Sequence, residues 1–212
     1  MHIPDGFIPP YICLTGYGIT GGLTWYSLQK INRDRYIQAN IPKASLLTAA
    51  FFVASLIHIP VPPSSIHLVL NGMMGVVLGY YAFPAILIGL FFQAVMFQHG
   101  GLSTLGVNAV VIGFPAIAAY YLFQLRNRFA SNRQRIRNIL SFGAGAGALL
   151  LSATMFVTLM VTTISADLDG DTERKAIYLS LIGYVIQAVI EGTFTVMLVA
   201  FLNKVKPELL KS

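Results

Sequence analysis

Met1 and His2 form a chelating dipeptide before any fold exists. The terminal amine nitrogen of Met1 and the amide nitrogen of His2 close a five-membered ring on a metal ion. The same amide nitrogen and Nδ1 of His2 close a six-membered ring, so one dipeptide offers three nitrogens in a plane. A fourth nitrogen completes a square, the arrangement that nitrogen-rich sites give to Ni(II) or Cu(II) and that Zn(II), which prefers a tetrahedron, does not favour. An N-terminal histidine is ordinarily a polar residue on a frayed end, so the chelate needs support from the rest of the chain. His67 offers the fourth nitrogen, directly after the stiff turn Pro62-Pro63-Ser64-Ser65; its plainer role is that of a capping or interfacial histidine. Asp5 suits either a carboxylate that holds an imidazole or the terminus in place, or a first-turn helix cap. A metal bound here displaces protons from an amine of ordinary pKa about 7.7–8.0, from imidazoles near 6.5 and from the His2 amide, so affinity is expected to fall in mild acid.

Other residues compete for attention. His58 reads as one turn inside an apolar segment, where a hydrogen-bonded core role is the default, and His99 borders the glycine-rich bend His99-Gly100-Gly101-Leu102-Ser103-Thr104-Leu105-Gly106. Glu191 is the one acidic side chain deep inside an apolar stretch, either functional or a satisfied structural hydrogen-bonding group. Gln93, Gln98, Asn108 and Gln187 suit hydrogen bonds between helices. The run Asp167-Leu168-Asp169-Gly170-Asp171-Thr172-Glu173 alternates oxygens like an EF-hand but carries Thr172 where the loop needs glycine and Tyr178 where it needs glutamate; a solvated acidic loop is expected. Cys13 is alone, which excludes an internal disulfide and a thiolate cluster. No Walker lysine motif and no His-Glu-x-x-His pair occurs. An ATP-driven process therefore needs a hydrolysing partner, and an intramembrane metalloprotease lacks its ligands.

Elements must position these groups, and composition says what kind. Of 212 residues 56% are hydrophobic and 10% charged, against about 25% charged in soluble domains. The chain reads as an all-α polytopic membrane bundle forming one domain over residues 1–212, with residues 1–10 as an N-terminal loop. Spans of roughly 20 apolar residues fall at about 11–29, 44–59, 66–82, 84–98, 107–125, 138–164 and 176–202. The join at Tyr80-Tyr81-Ala82-Phe83-Pro84 is the least marked, and the Gly143 to Ala148 run suits close helix packing. Seven spans put the termini on opposite faces. With the N-terminus outside and the C-terminus cytoplasmic, Lys30, Arg33, Arg35, Lys43, the five arginines from Arg126 to Arg137, Lys204, Lys206 and Lys211 all lie inside, leaving only Arg174 and Lys175 outside. The net charge of +6 is thereby a topology signal and no sign of nucleic acid. The opening lacks the basic start of a secretory signal, so Met1 is expected to be the mature terminus, retained before the large His2.

Three segments together, MHIPDGFIPP at the start, SSIHLVLNGMMGVVLG over 64–79 and FQHGGLSTLGVN over 97–108, resemble the membrane substrate-binding subunit of cobalt/nickel energy-coupling factor transporters, the CbiM/NikM family. The resemblance spans most of the chain. It implies a seven-helix subunit in a prokaryotic plasma membrane, whose N-terminal loop inserts into the bundle. There the Met1 amine, the His2 amide and imidazole, and His67 would hold Ni2+ or Co2+ as transported substrate, with no organic cofactor. The His67-Leu68-Val69-Leu70-Asn71-Gly72 form is closer to nickel-type members than to cobalt-type ones with a His-Pro-Thr-Gly pattern. The implied partners are a transmembrane scaffold subunit, paired cytoplasmic ATPases and a small accessory membrane subunit. The competing expectations are an organic-substrate subunit of the same transporter type, an intramembrane metalloenzyme, and a scaffold without ligand.

Overall fold

The computed structural model describes residues 2–61, 64–128, 133–163 and 170–210. Among these the chain forms seven α-helices: α1 (Pro10–Ile31), α2 (Ile37–Ala54), α3 (Asn71–Leu78), α4 (Ala82–Phe97), α5 (Leu105–Gln124), α6 (Arg133–Thr163) and α7 (Gly170–Val205). Four stretches, Asn71–Phe97, Leu105–Arg128, Gln134–Thr163 and Ile182–Val205, are long and apolar enough to cross a membrane. Exposed Leu14, Trp25, Leu46, Ile139 and Met197 lie on the outside of the bundle, the arrangement of a protein whose solvent is lipid.

The all-α expectation holds for the bundle, with one short hairpin where a span end was expected. The segment expected to continue a span to Ile59 leaves α2 at Ser55, whose Oγ donates to the Phe52 carbonyl at 2.7 Å. It then forms β1 (His58–Val61), paired antiparallel with β2 (Ser64–His67). The reason is local. Pro60 removes a helical donor and drives the residue before it to extended geometry, and β-branched Ile57, Ile59 and Val61 favour a strand. His58 is thus a strand residue in register with His67, and not one turn inside a helix. The Pro62-Pro63 corner itself lies outside the described residues. The third span is also shorter than expected, since helix begins only at Asn71.

α3 is a half-helix. Its eight residues cover about 12 Å against a hydrocarbon core of about 30 Å, and every one is buried. It starts in the middle of the bundle and runs alongside α5 in the same direction: the Asn71 amide donates to the Ile112 carbonyl at 3.0 Å, and beyond its end the Tyr80 hydroxyl meets that of Tyr121 at 3.1 Å. Glycine makes the approach possible, because a Cβ on Gly75 would occupy the Ala116 carbonyl and one on Gly72 would sit 2.5 Å from the Ala144 carbonyl. The chain reverses at Gly79, in left-handed geometry (φ 58°), through a 3-10 turn over Gly79–Tyr81. α4 then returns, with Gln93 Nε2 donating to Ser55 Oγ at 2.5 Å beside the end of α2. The break expected at Tyr80–Pro84 is therefore present, one to three residues earlier.

α6 and α7 pack along much of their length, with Gly145 seated against Thr195, Glu191 and Gly192 of α7. The glycine–alanine run thus serves packing within the subunit. In α1, by contrast, only Gly16 touches another helix, against Val107; Gly18, Gly21 and Gly22 meet nothing within 4 Å. Ile3 and Leu210 lie at opposite ends of α5. Ile3 is bonded to Asn108 near its start, while the Leu210 carbonyl accepts from the Arg126 guanidinium just past its finish at 2.7 Å. Acidic Asp171 and Glu173 fall in the first turn of α7, and the preceding 164–169 lie outside the described residues.

Candidate functional site

The N-terminal segment is docked into the bundle by backbone capture. Ile3 is fully buried; its N–H donates to Asn108 Oδ1 at 2.9 Å, and its carbonyl accepts from Asn108 Nδ2 at 3.1 Å and from the Thr104 hydroxyl at 2.6 Å. One carboxamide on α5 thus imitates a neighbouring strand, satisfying both backbone polar groups of a residue taken out of water. Ile8 is buried as well, so an apolar residue lies on each side of the exposed Gly6, which takes the turn with φ 82°.

Asp5 clamps the same segment to the glycine-rich bend. Its carboxylate accepts the Ser103 N–H at 2.8 Å, the Ser103 hydroxyl at 2.5 Å and the Leu102 N–H at 3.2 Å. The Ser103 hydroxyl is the main reason its pKa lies below the ordinary 3.8, against a smaller opposing effect of desolvation and with help from the backbone N–H groups of Ser103 and Leu102. Gly101 admits no side chain, since a Cβ there would collide with Asp5. The Tyr17 hydroxyl bonds the Leu102 carbonyl and the Thr20 hydroxyl bonds the Gly106 carbonyl at 2.7 Å, tying the bend to α1. These Asp5 contacts go to the bend, tying residues of the N-terminal segment to it.

His2 enters this frame half-buried, its ring 4.3 Å from that of His99 between centroids and tilted by 58°. His99 stands beside it because α4 ends in two left-handed residues, Gln98 (φ 52°) and Gly100 (φ 86°), with the His99 N–H donating to the Gln93 carbonyl at 3.1 Å. The His2 Cβ lies 3.6 Å from where a Cβ on Gly100 would be. The bend at His99 is the seat of the N-terminal segment, so the structure brings His99, and among the described contacts not His67, beside His2. His67 ends β2, its Cα in register with that of His58. Met1 lies outside the described residues. Among the described residues no three His, Cys, Asp or Glu side chains cluster as metal ligands.

Glu191 resolves to a hydrogen-bonding post. It is 1% exposed, accepts the Val69 N–H at 2.6 Å and the Leu70 N–H at 2.9 Å, and is braced by Gln187 Nε2 at 3.0 Å. It lies at the junction between β2 and α3, two residues beyond His67. Cys13 is half-buried and unpaired with any other thiol.

Residues 2–209 match the family described as the cobalt uptake substrate-specific transmembrane region, CbiM. The chain belongs to the CbiM family. This CbiM-family chain is 31% identical over 210 residues to a Haemophilus influenzae protein named for metal transport, covering 99% of this chain and 97% of that one. It is 32% identical over 163 residues to the fused nickel transport protein NikMN of Rhodobacter capsulatus, covering 74% of this chain and 47% of the fusion. A solved transition metal transporter superimposes with a TM-score of 0.76 at 21% identity, covering 97% of this chain and 93% of that one, which shows a shared fold. The relatives are transporters and not enzymes, so the metalloenzyme alternative falls and the resemblance seen in the three motifs holds at the level of the family. The CbiM chain is a membrane protein for transport of a transition metal.

Proposed function

We propose that this chain is the substrate-specific component of an energy-coupling factor importer, capturing Ni2+ or Co2+ at the outer face of a prokaryotic plasma membrane. In this reading it crosses the bilayer seven times with its N-terminus outside, and the substrate ion sits in a planar site of four nitrogens. These are the Met1 amine, the His2 amide and imidazole, and His67. The observation that carries the proposal is the double hydrogen bond between Asn108 and the Ile3 backbone. It supports the reading because a terminal chelate is useful only if the terminus is held at a fixed place, and this contact fixes the residue next to the chelate.

Nickel is favoured over cobalt by the His67 to Gly72 form and by the likeness to NikMN. Relatives fused as NikMN and CbiMQ support a partner subunit in the membrane, and the absence of a Walker motif in the sequence supports separate ATPases as the source of work. A scaffold subunit, paired ATPases and a small accessory membrane subunit complete the assembly. An organic-substrate subunit of the same type is disfavoured by the metal names of the relatives.

A second reading follows from the ring contact between His2 and His99: His99, and not His67, closes the square. Metal analysis of the purified chain tests both. One Ni per chain, lost in His2→Ala and His67→Ala but kept in His99→Ala, supports the first reading. Retention in His67→Ala with loss in His99→Ala supports the second, and retention in all three removes both. Inserting one residue before Met1 moves the amine out of register and is expected to abolish binding; unchanged uptake by that variant would defeat the chelate.

A further inference from the structure

The chain enters a half-helix in the middle of a membrane bundle, where buried N–H groups need acceptors, and one carboxylate from another helix takes the two that directly precede α3. Oε1 of Glu191 takes the Val69 N–H and Oε2 the Leu70 N–H, so both oxygens are committed to consecutive residues of the junction between β2 and α3. Leu70 is held in left-handed geometry, φ 54° and ψ 15°, unusual for a residue that is not glycine. Gln187, one turn earlier on α7, donates to Oε1 and fixes the carboxylate from the side. Directly after the junction the fully buried Asn71 amide donates to the Ile112 carbonyl and to Ser152 Oγ at 2.8 Å, which pins the start of α3 to α5 and α6. His67 stands two residues before Val69, at the end of a strand that packs against α7.

We propose that Glu191 is a positioning residue for the metal site: it holds the turn after His67 in its left-handed form and so sets where that histidine stands relative to the N-terminal dipeptide. The inference rests on His67 being a ligand. A carboxylate suits the task because two adjacent N–H groups point to one place and both need an acceptor. A glutamine there accepts from one and turns its own amide hydrogens toward the other. The predicted consequence of Glu191→Gln is therefore a displaced junction with an intact bundle, in which the outer support of a ligand is lost. Loss of such support typically weakens metal affinity by about 10–100-fold.

The test uses the full-length chain purified in detergent, titrated with Ni2+ and followed by the visible absorption band of planar Ni(II) and by thermal unfolding without metal. Glu191→Gln is expected to weaken Ni2+ binding at least tenfold and to shift the band, while metal-free unfolding moves little. Glu191→Asp, which keeps both oxygens, is expected to recover part of the affinity. So is the double variant Leu70→Gly/Glu191→Gln, because glycine adopts the left-handed turn without the carboxylate. Unchanged affinity and band in Glu191→Gln overturn the proposal. So does a loss of binding in Glu191→Gln that neither Glu191→Asp nor the double variant restores, since that marks a general structural role. The underlying reading fails differently: wild-type chain that binds no Ni2+, or binds it equally in His67→Ala, removes the site itself.

Discussion

Asn108 grips the N-terminal segment by bonding both backbone polar groups of Ile3, with Thr104 sharing the carbonyl. With a net worth of about 1 kcal/mol per hydrogen bond and a further penalty for orphaned buried groups, Asn108→Ala is expected to weaken docking of the N-terminal segment by about 2–3 kcal/mol. Metal affinity should fall by roughly 30–150-fold, read by Ni2+ titration, with metal-free stability changing less. Asp5 sets the acid limit of the same docking. Its folded pKa is below 3.8, so its contribution is fully present above that value and is lost as pH falls through the depressed pKa. A fluorophore on Phe7→Cys in a Cys13→Ser background should therefore report a docked segment at pH 5 and release only once the pH falls below the ordinary 3.8. In Asp5→Asn that step should disappear. If the proposed chelate holds, metal binding should weaken between pH 8 and 6 through proton competition for the amine and imidazoles, and this should persist in Asp5→Asn.

At the scale of elements, α3 is the part least tolerant of change. Its glycines are sites of contact: Gly75 lies on the Ala116 carbonyl of α5, and Gly72 on Ala144 and Gly145 of α6. A side chain at Gly75 must push α3 and α5 apart, and backbone there cannot yield as a flexible side chain would. Gly75→Val is expected to cost about 3 kcal/mol or more, seen as loss of folded protein in detergent. Gly21→Ala, on an open face of α1, should instead be neutral or gain up to about 1 kcal/mol from helix propensity. The contrast was not available from the sequence, where glycines of α1 and α3 look alike. Spacing shows which residues are small; only packing shows which of them have a neighbour.

On the scale of the molecule, the distribution of charge orders the assembly. Asp34 accepts from the Tyr81 hydroxyl at 2.9 Å and from the Asn40 amide at 2.7 Å, and Arg126 and Lys43 hold the carbonyls of Leu210 and Leu209. Basic groups and the C-terminal turn thus gather at the end of the bundle remote from His2. A membrane-impermeant thiol reagent should label Phe7→Cys in intact cells and spare a cysteine at Asn127, both in the Cys13→Ser background; the reverse pattern would overturn the proposed orientation.

The sequence by itself determined the class and the family, and it is the source of the proposed chelate. Those rest on composition, on covalent adjacency of an amine to an imidazole, and on three local motifs, all of which are properties of residues near one another in the chain. It also located the reversal near Tyr80 and the packing role of the glycine–alanine run. Tertiary structure decided the rest. The hairpin replaced the expected end of one span and start of another, because apolar runs of four to eight residues read alike as strand or helix. Asn108 became the grip on Ile3, 105 residues away, and Glu191 the post under the His67 strand, more than 120 residues away. Such pairings follow from how seven helices cross, and no local spacing encodes them.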